Sequence, residues 1–183
     1  MEPAELTLSV ATSNFVGSRT FFIDISQCVS LLNRRFYRQG LNWAVGGIKI
    51  LSTVPGSTGN FVVTKLPTTW VMSNAWEKSM RNWLRMNKEA MEEAGSIRPK
   101  FLDYKIYADS DHHDAGFGAN LLPANRTTFA LPGEWESAKF IIPNSAVAGQ
   151  VFSREVIATG INYPGASTAT GLNAVSIIEG YAA

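Results

Sequence analysis

The sequence predicts a single, mainly β domain, a sandwich or barrel into which one long amphipathic helix is inserted. Short strand-like runs recur along the 183 residues, between glycine, proline, serine and threonine. The turn-forming pairs Pro55-Gly56, Pro132-Gly133 and Pro164-Gly165 separate several of these runs. Residues 74–94 break the pattern, because they contain no glycine, proline or β-branched residue. A chain of this length is expected to form one domain, spanning 1–183.

Eight runs are predicted to be strands from their apolar and β-branched residues. These runs are 6–11, 20–28, 43–51, 60–66, 101–107, 138–142, 151–158 and 175–180. A second, weaker helical pattern covers residues 27–39, with Gly40 as a terminating cap. It predicts a short helix or turn after the strand that contains FFIDI.

The inserted helix is predicted at about 74–94. Asn74 and Glu77 fit a capping box, and Gly95 fits a C-terminal cap. One apolar stripe is formed by Trp76, Met80, Trp83, Leu84, Met91 and Ala94. The helix is therefore expected to lie across the sheet and to cover a face that would otherwise be exposed.

Composition excludes several classes of protein. The net charge is +1, and charged residues make up 17% of the chain against a usual value of about 25%. The single cysteine, Cys28, excludes an internal disulfide and a multi-cysteine zinc site, and a buried, inert thiol is expected there. Neither a secretory signal nor a membrane-spanning segment is expected. The apolar run at the C-terminal end leaves two alternatives open, a docked terminal strand or a longer polypeptide with further strands.

The densest group of ionisable residues is DSDHHD, where carboxylates and imidazoles could ligate a divalent metal. The weak metal candidates are Asp109, Asp111, His112, His113 and Asp114. A polar loop is the favoured interpretation, because the spacing fits neither HExxH nor an EF-hand. GxSxG, GxxxxGK[ST] and GxGxxG are all missing from the sequence. We therefore expect no enzyme activity and no cofactor.

The segment NRRFYRQG places three arginines beside two aromatic residues. Arginine binds phosphate through a planar fork, and aromatic rings stack on unpaired bases. Residues 1–65 contain six basic and three acidic residues, so the modest positive charge is concentrated early in the chain. Arg34, Arg35, Arg38 and Tyr37 are therefore candidates for nucleic-acid binding. The alternative is that the arginines pair with acidic residues across a subunit contact, with Phe36 and Tyr37 in the core.

Three motifs resemble the capsid proteins of small circular Rep-encoding single-stranded DNA (CRESS-DNA) viruses. They are DISxxxxxxNRRFYRQG at 24–40, PxxWV at 67–71 and the Trp135-Glu136 step, within a resemblance that spans roughly residues 20–160. The resemblance implies a single jelly roll, an antiparallel β-sandwich. It also implies self-assembly into an icosahedral shell around a single-stranded DNA genome, and a location in the virion, or in the host cell during assembly.

Two departures from the family pattern bear on genome packaging. MEPAELTLSV is not the basic arm with which such proteins commonly begin, and 183 residues is short for the family. Large aromatic residues are common anchors at subunit contacts, so Trp43, Trp70, Trp135 and Tyr163 are the candidate interface residues. The rival interpretation is a carbohydrate- or receptor-binding jelly roll, in which GEWES and the DHHD segment hold the ligand, with or without a divalent ion.

Overall fold

The chain folds around a small mixed sheet covered by helices. The computed structural model describes residues 6–12, 15–92, 101, 103–125, 128–131, 133, 135–144, 146–162 and 174–182. Of these residues 31% are helical and 13% lie in strands. The prediction of a mainly β jelly roll is therefore wrong, since two packed antiparallel sheets cannot be built from so few strands.

The helices of the described chain are α1 (Ile25–Asn33), α2 (Trp70–Met91), α3 (Ser110–Ala115) and α4 (Ile177–Ala182). A short 3₁₀ turn follows α3 at Phe117–Ala119. The strands are β1 (Ala124–Asn125), β2 (Thr128–Phe129), β3 (Lys139–Pro143), β4 (Val151–Ile157) and β5 (Ala174–Ser176).

Strand β4 is the centre of the main sheet. It pairs antiparallel with β3, with Lys139 opposite Glu155 and Pro143 opposite Val151. It pairs parallel with β5 on its other edge, which an all-antiparallel sandwich would not contain. The pair β1–β2 forms a separate two-stranded antiparallel ribbon. The predicted strands at 138–142 and 151–158 are thus confirmed, whereas the run 175–180 is divided between β5 and α4.

The predicted long helix is confirmed, although it starts earlier than expected. The Thr69 hydroxyl accepts a hydrogen bond from the Met72 N–H at 3.3 Å, so Thr69 caps α2 in place of Asn74. The helix ends at Met91, before the predicted cap Gly95, which lies outside the described residues. None of the described helices is long and apolar enough to cross a membrane.

Helix α2 covers one face of the main sheet, as predicted. Its buried side chains Met72, Ala75 and Met80 pack with residues of the sheet and of α4 in one core. The other buried members of that core are Tyr104, Ile106, Ala138, Val156, Ala158 and Ile177. The Tyr104 hydroxyl shares a hydrogen bond with Ser79 at 2.5 Å, which fixes the helix against the strand-like segment before α3.

The predicted strand 20–28 is interrupted by a helix. Asp24 caps α1, accepting from the Gln27 N–H at 3.2 Å, so the chain turns helical from Ile25. The helix does not continue to residue 39, because Arg34 takes a left-handed backbone conformation with φ 52°. The helical pattern at 27–39 was therefore correct in type and wrong in extent.

Residues 41–69, here called the 41–69 segment, contain neither a helix nor a strand. The predicted strands 43–51 and 60–66 fall within it and are wrong for this structure. Within the segment, one backbone hydrogen bond closes a turn, from the Ser57 N–H to the Val54 carbonyl at 3.3 Å. Strand propensity reflects the fit of side chains to a pleated, half-buried surface, and here the described chain provides no neighbouring strand.

Two further predicted strands are reduced to single bridges. The run 6–11 pairs only through Val10 with Pro123, and the run 101–107 only through Tyr107 with Ile157. The Tyr107 N–H donates to the Val156 carbonyl at 3.0 Å, so the chain around Tyr107 lies beside β4, next to the first residue of β3.

Candidate nucleic-acid interface

The Asp24 carboxylate joins three separate parts of the chain. While one oxygen caps α1, the other accepts from the Gln39 side-chain amide at 2.7 Å and from the Trp135 indole N–H at 3.0 Å. Asp24 and Gln39 belong to the first of the quoted motifs, and Trp135 to the third. The structure thus brings these motif residues together at one half-buried carboxylate.

Residues 34–40, here called the basic loop, are held at their C-terminal end by Gln39. Its side-chain carbonyl accepts from the Ile106 N–H at 2.7 Å, and its amide donates to the Ile106 carbonyl at 3.3 Å. Gly40 follows with φ +82°, and a Cβ built there would lie 2.6 Å from the Trp76 ring. Glycine is needed for both reasons, so the loop lies directly against α2.

Ser30 holds the N-terminal end of the basic loop. Its hydroxyl accepts from the Tyr37 N–H at 2.8 Å, and its carbonyl accepts from the Arg35 N–H at 3.2 Å. The same hydroxyl donates to the Ser26 carbonyl at 2.6 Å, inside α1. These bonds fix the loop backbone on α1, so the arginine side chains project from a rigid support.

The arginines of the basic loop remain available to a partner. Arg34, Arg35 and Arg38 are exposed. Among the described residues, none of the three forms an ion pair, while the Arg38 guanidinium lies 5.9 Å from the centre of the Trp76 ring. On α2, by contrast, Arg81 and Arg85 pair with Glu77 and Glu89 at 2.8 and 3.1 Å. The alternative, pairing with acidic residues across a subunit contact, stays a prediction.

Charge around the basic loop is one-sided. Residues 6–69 contain six basic side chains and one acidic side chain, Asp24. Asp24 accepts its three hydrogen bonds from uncharged donors, and no arginine of the basic loop forms an ion pair with it. Residues 6–69 thus carry a net charge of +5, six basic against one acidic, on a chain whose total charge is only +1.

Tyr37 and Trp43 are half-buried beside this loop. Their ring centres are 5.9 Å apart in an edge-to-face contact, and the Trp43 indole N–H donates to the Ser26 hydroxyl at 3.0 Å. Trp43 is therefore part of the monomer's own packing, and Tyr37 packs against it as a half-buried residue of the basic loop.

The other predicted interface residues differ in how free they are. Trp70 is 70% exposed at the first position of α2, as an interface residue would be. Trp135 is half-buried, bonded to Asp24, with the Lys105 ammonium 4.6 Å from its ring centre. Tyr163 lies outside the described residues. Of the three tryptophans predicted to lie at the interface, Trp70 is the most exposed.

The DSDHHD segment is a helix, α3, rather than the expected polar loop. Asp109 caps it by accepting from the His112 N–H at 2.8 Å. His112 accepts from the Ala108 N–H through Nδ1 at 3.0 Å, which leaves Nε2 to donate to the Asn120 side-chain oxygen at 2.8 Å. Burial lowers the pKa of His112. This imidazole is thus held neutral and fully hydrogen-bonded.

The remaining metal candidates are also dispersed. His113 Nε2 lies 2.7 Å from a Glu155 carboxylate oxygen, while Asp111 and Asp114 are exposed on α3. Within the described ranges, no group of three His, Cys, Asp or Glu side chains is placed to hold a metal ion.

Sequence reasoning missed the buried contact of Asn120 with Gln27, at 3.0 Å, because isolated amides carry no recognisable spacing.

Comparison of the chain with protein families, curated proteins and solved structures finds no match. The resemblance to CRESS-DNA capsid proteins therefore rests on the three motifs alone.

Proposed function

We propose that this chain is a shell-forming viral structural protein that self-associates and binds single-stranded DNA through the basic loop. One observation carries the proposal. A rigidly held loop with three unpaired arginines leads directly into a segment whose apolar side chains are uncovered. The arginines are suited to binding phosphate, and the uncovered apolar side chains are suited to burial against further copies of the chain. The proposed location is the virion, and the host cell during assembly.

Surface area supports self-association. The chain exposes 13417 Å², whereas a compact monomer of 20.0 kDa exposes about 8,700 Å². The excess, about 4,700 Å² on one chain, is more than one partner contributes to most obligate interfaces, which bury roughly 2,000–5,000 Å² counted over both partners. Full burial of each exposed valine or phenylalanine contributes about 1.5–3 kcal/mol, so association has a large driving force.

Cation placement supports a polyanionic partner. Guanidinium groups bind phosphate in two parallel hydrogen bonds, and Arg34 and Arg35 are exposed with no ion-pair partner in the described part of the chain. Tyr37, half-buried in the same loop, is the candidate for stacking on an unpaired base, which a duplex does not offer. We therefore favour a single-stranded nucleic acid, and DNA by the resemblance.

The rival function, carbohydrate or receptor binding, finds no supporting geometry. A sugar-stacking tryptophan must present its ring face, but the Trp135 ring is half-buried with Lys105 over it. Both histidines of the DHHD segment are buried and hydrogen-bonded within the chain. We do not propose this function.

Self-assembly is tested by size-exclusion chromatography with negative-stain microscopy. We expect closed particles, or oligomers far larger than 20.0 kDa, in at least one condition of salt and pH. A monodisperse 20.0 kDa monomer across all conditions would contradict the proposal.

DNA binding is tested by reversing the charge of the loop. Arg34→Glu with Arg35→Glu should weaken binding to a labelled oligothymidylate. It should also lower the dependence of log K on log salt by about 1.4, because each lost phosphate contact removes about 0.7. The matched control is Arg81→Glu with Arg85→Glu, which changes the net charge equally on α2. Equal losses in both variants, or tighter binding to single-stranded RNA, would contradict the assignment of the loop to DNA.

A triple variant of the basic loop tests genome packaging. Particles that lack Arg34, Arg35 and Arg38, each replaced by Glu, should show a lower ratio of nucleic-acid to protein absorbance. An unchanged ratio would show that cargo is held elsewhere.

A further inference from the structure

Exposed apolar side chains are concentrated in two places. Of the 25 large apolar side chains that the described residues expose, ten lie in the 41–69 segment and five on the hairpin of β3 and β4. The first group is Leu41, Val45, Ile48, Ile50, Leu51, Val54, Phe61, Val62, Val63 and Leu66. The second group is Ile141, Ile142, Val147, Val151 and Phe152. Both groups lack a covering element within the described chain.

The hairpin of β3 and β4 projects from the core as an ordered element. Its turn is closed by the Asn144 N–H donating to the Gln150 carbonyl at 2.9 Å, and by a side-chain contact between the same residues at 2.6 Å. Ile141 and Ile142, which are neighbours on opposite faces of β3, are both exposed. The outer half of the hairpin is therefore uncovered on both sides.

Strand β3 also has a free edge. Its only strand neighbour among the described residues is β4. Just before β3 begins, the Ala138 N–H donates to the Lys105 carbonyl at 2.8 Å. From Lys139 to Pro143 the described chain places no further strand along this edge. A free edge presents N–H and C=O groups that can accept an added strand.

Residues 60–66 have the composition of a strand without the pairing. Phe61, Val62 and Val63 are 63%, 85% and 66% exposed, and their backbone groups have no hydrogen-bond partner among the described residues. The run is flanked by Gly59 and Pro67, which delimit it. Its seven residues are long enough to cover the five residues of β3.

We propose that residues 60–66 of one copy add as a strand to the free edge of β3 in a second copy. The excess surface of about 4,700 Å² indicates a partner large enough to bury several segments. The 41–69 segment contains no acidic residue, and neither do residues 139–154 of the hairpin. No carboxylate therefore has to be desolvated when the two come together. This inference rests on the proposed self-association and names the contact that would produce it.

Backbone pairing is tested with Val63→Pro, which removes an amide donor in the middle of the added strand. The matched control is Thr58→Pro, just outside the run. Because Val63 lies in an unpaired, exposed run, the urea midpoint and circular dichroism of the monomer should stay at wild-type values. We expect Val63→Pro to raise the concentration for half-assembly at least tenfold, and Thr58→Pro to leave it unchanged. Equal assembly of all three proteins would overturn the inference.

Intermolecular contact is tested by mixing full-length chains that carry Val63→Cys with chains that carry Ile141→Cys. Under oxidation we expect disulfide-linked heterodimers, and far fewer when Thr58→Cys replaces Val63→Cys. Cys28 does not compete, because it is fully buried and burial raises its pKa to about 12. If a chain with both cysteines links them within itself at high dilution, residues 60–66 cover their own β3, and the inference is wrong.

Hydrogen exchange separates this inference from the proposed function. Amides 60–66 should exchange rapidly in dilute monomer and become protected in the assembled protein. Protection in particles that carry no nucleic acid would support the strand contact and contradict the DNA-binding function. Particles that carry DNA but leave amides 60–66 unprotected would support the DNA-binding function and contradict the strand contact.

Discussion

Residues 151–157 and residues 60–66 are similar in composition but differ in burial and in strand pairing. Strand β4 buries Val156 and Ile157, at 1% and 0% exposure, between a helix-covered face and two neighbouring strands. In the 41–69 segment, Val62 is 85% exposed. Both runs are rich in β-branched residues, so propensity alone does not distinguish them. The difference is that β4 has strand neighbours within the described chain and the segment has none.

The contrast assigns separate roles to the two regions. The packed region, with α1, α2, α3, the main sheet and α4, holds the monomer together and fixes the basic loop. The 41–69 segment contributes little to that packing, since all of it except the half-buried Trp43 is exposed. Under the proposed function its apolar side chains contribute to assembly instead. Stability of the monomer and association should therefore respond to different substitutions.

The largest expected effect compares the same substitution in the two regions. Val156→Ala should lower the free energy of unfolding by about 2–3 kcal/mol, because two buried methyl groups are lost and a cavity remains. Val62→Ala should change it by no more than about 0.5 kcal/mol. Urea denaturation of dilute, unassembled protein measures both. A comparable loss in Val62→Ala would show that the segment packs within the monomer.

Local patterns predicted the helix type better than the sheet. The apolar stripe of α2 needs only helical spacing, so the helix was foreseen, and its start was misplaced because Thr69 provides an earlier cap than Asn74. Strands require partners distant in sequence, and alternation alone does not supply them. The runs 43–51 and 60–66 were therefore predicted as strands without any means of checking for a neighbour.

The candidate site was predictable in part for the same reason. The cluster of arginines at 34–38 is visible as a local pattern, and the structure exposes all three. The support beneath it was not visible. Asp24, Gln39 and Trp135 meet across more than a hundred residues, and no spacing rule connects a carboxylate with a distant amide and indole. Only their presence in the quoted motifs indicated that they belong together.

Two glycines give a second comparison between the packed region and the segment. Gly40→Ala should cost about 2 kcal/mol, because alanine is strained at φ +82° and its Cβ would meet the Trp76 ring at 2.6 Å. Gly46→Ala, in the 41–69 segment, meets nothing within 4 Å and should be neutral or slightly stabilising. Thermal or urea unfolding measures both changes. A neutral Gly40→Ala would show that the basic loop does not lie against α2.

The smallest expected effect is the pH dependence that His112 gives the packed region. Burial lowers the pKa of this imidazole below its ordinary value of 6.5, so the folded chain favours the neutral form. A proton would enter at Nδ1, which already accepts the Ala108 N–H, so charging the ring also breaks that hydrogen bond. The unfolded chain takes up a proton near pH 6.5 and the folded chain only at lower pH. The stabilisation is therefore complete above pH 6.5 and is lost as the pH falls below it.

Urea midpoints at pH 7.5 and pH 5.5 measure this loss, and His112→Gln provides the reference that removes the titrating group. The wild type should lose more stability than the variant between the two pH values. Matching losses would mean that the imidazole is not confined by Ala108 and Asn120. Because the 41–69 segment contains lysine but no histidine or carboxylate, the difference reports on the packed region alone.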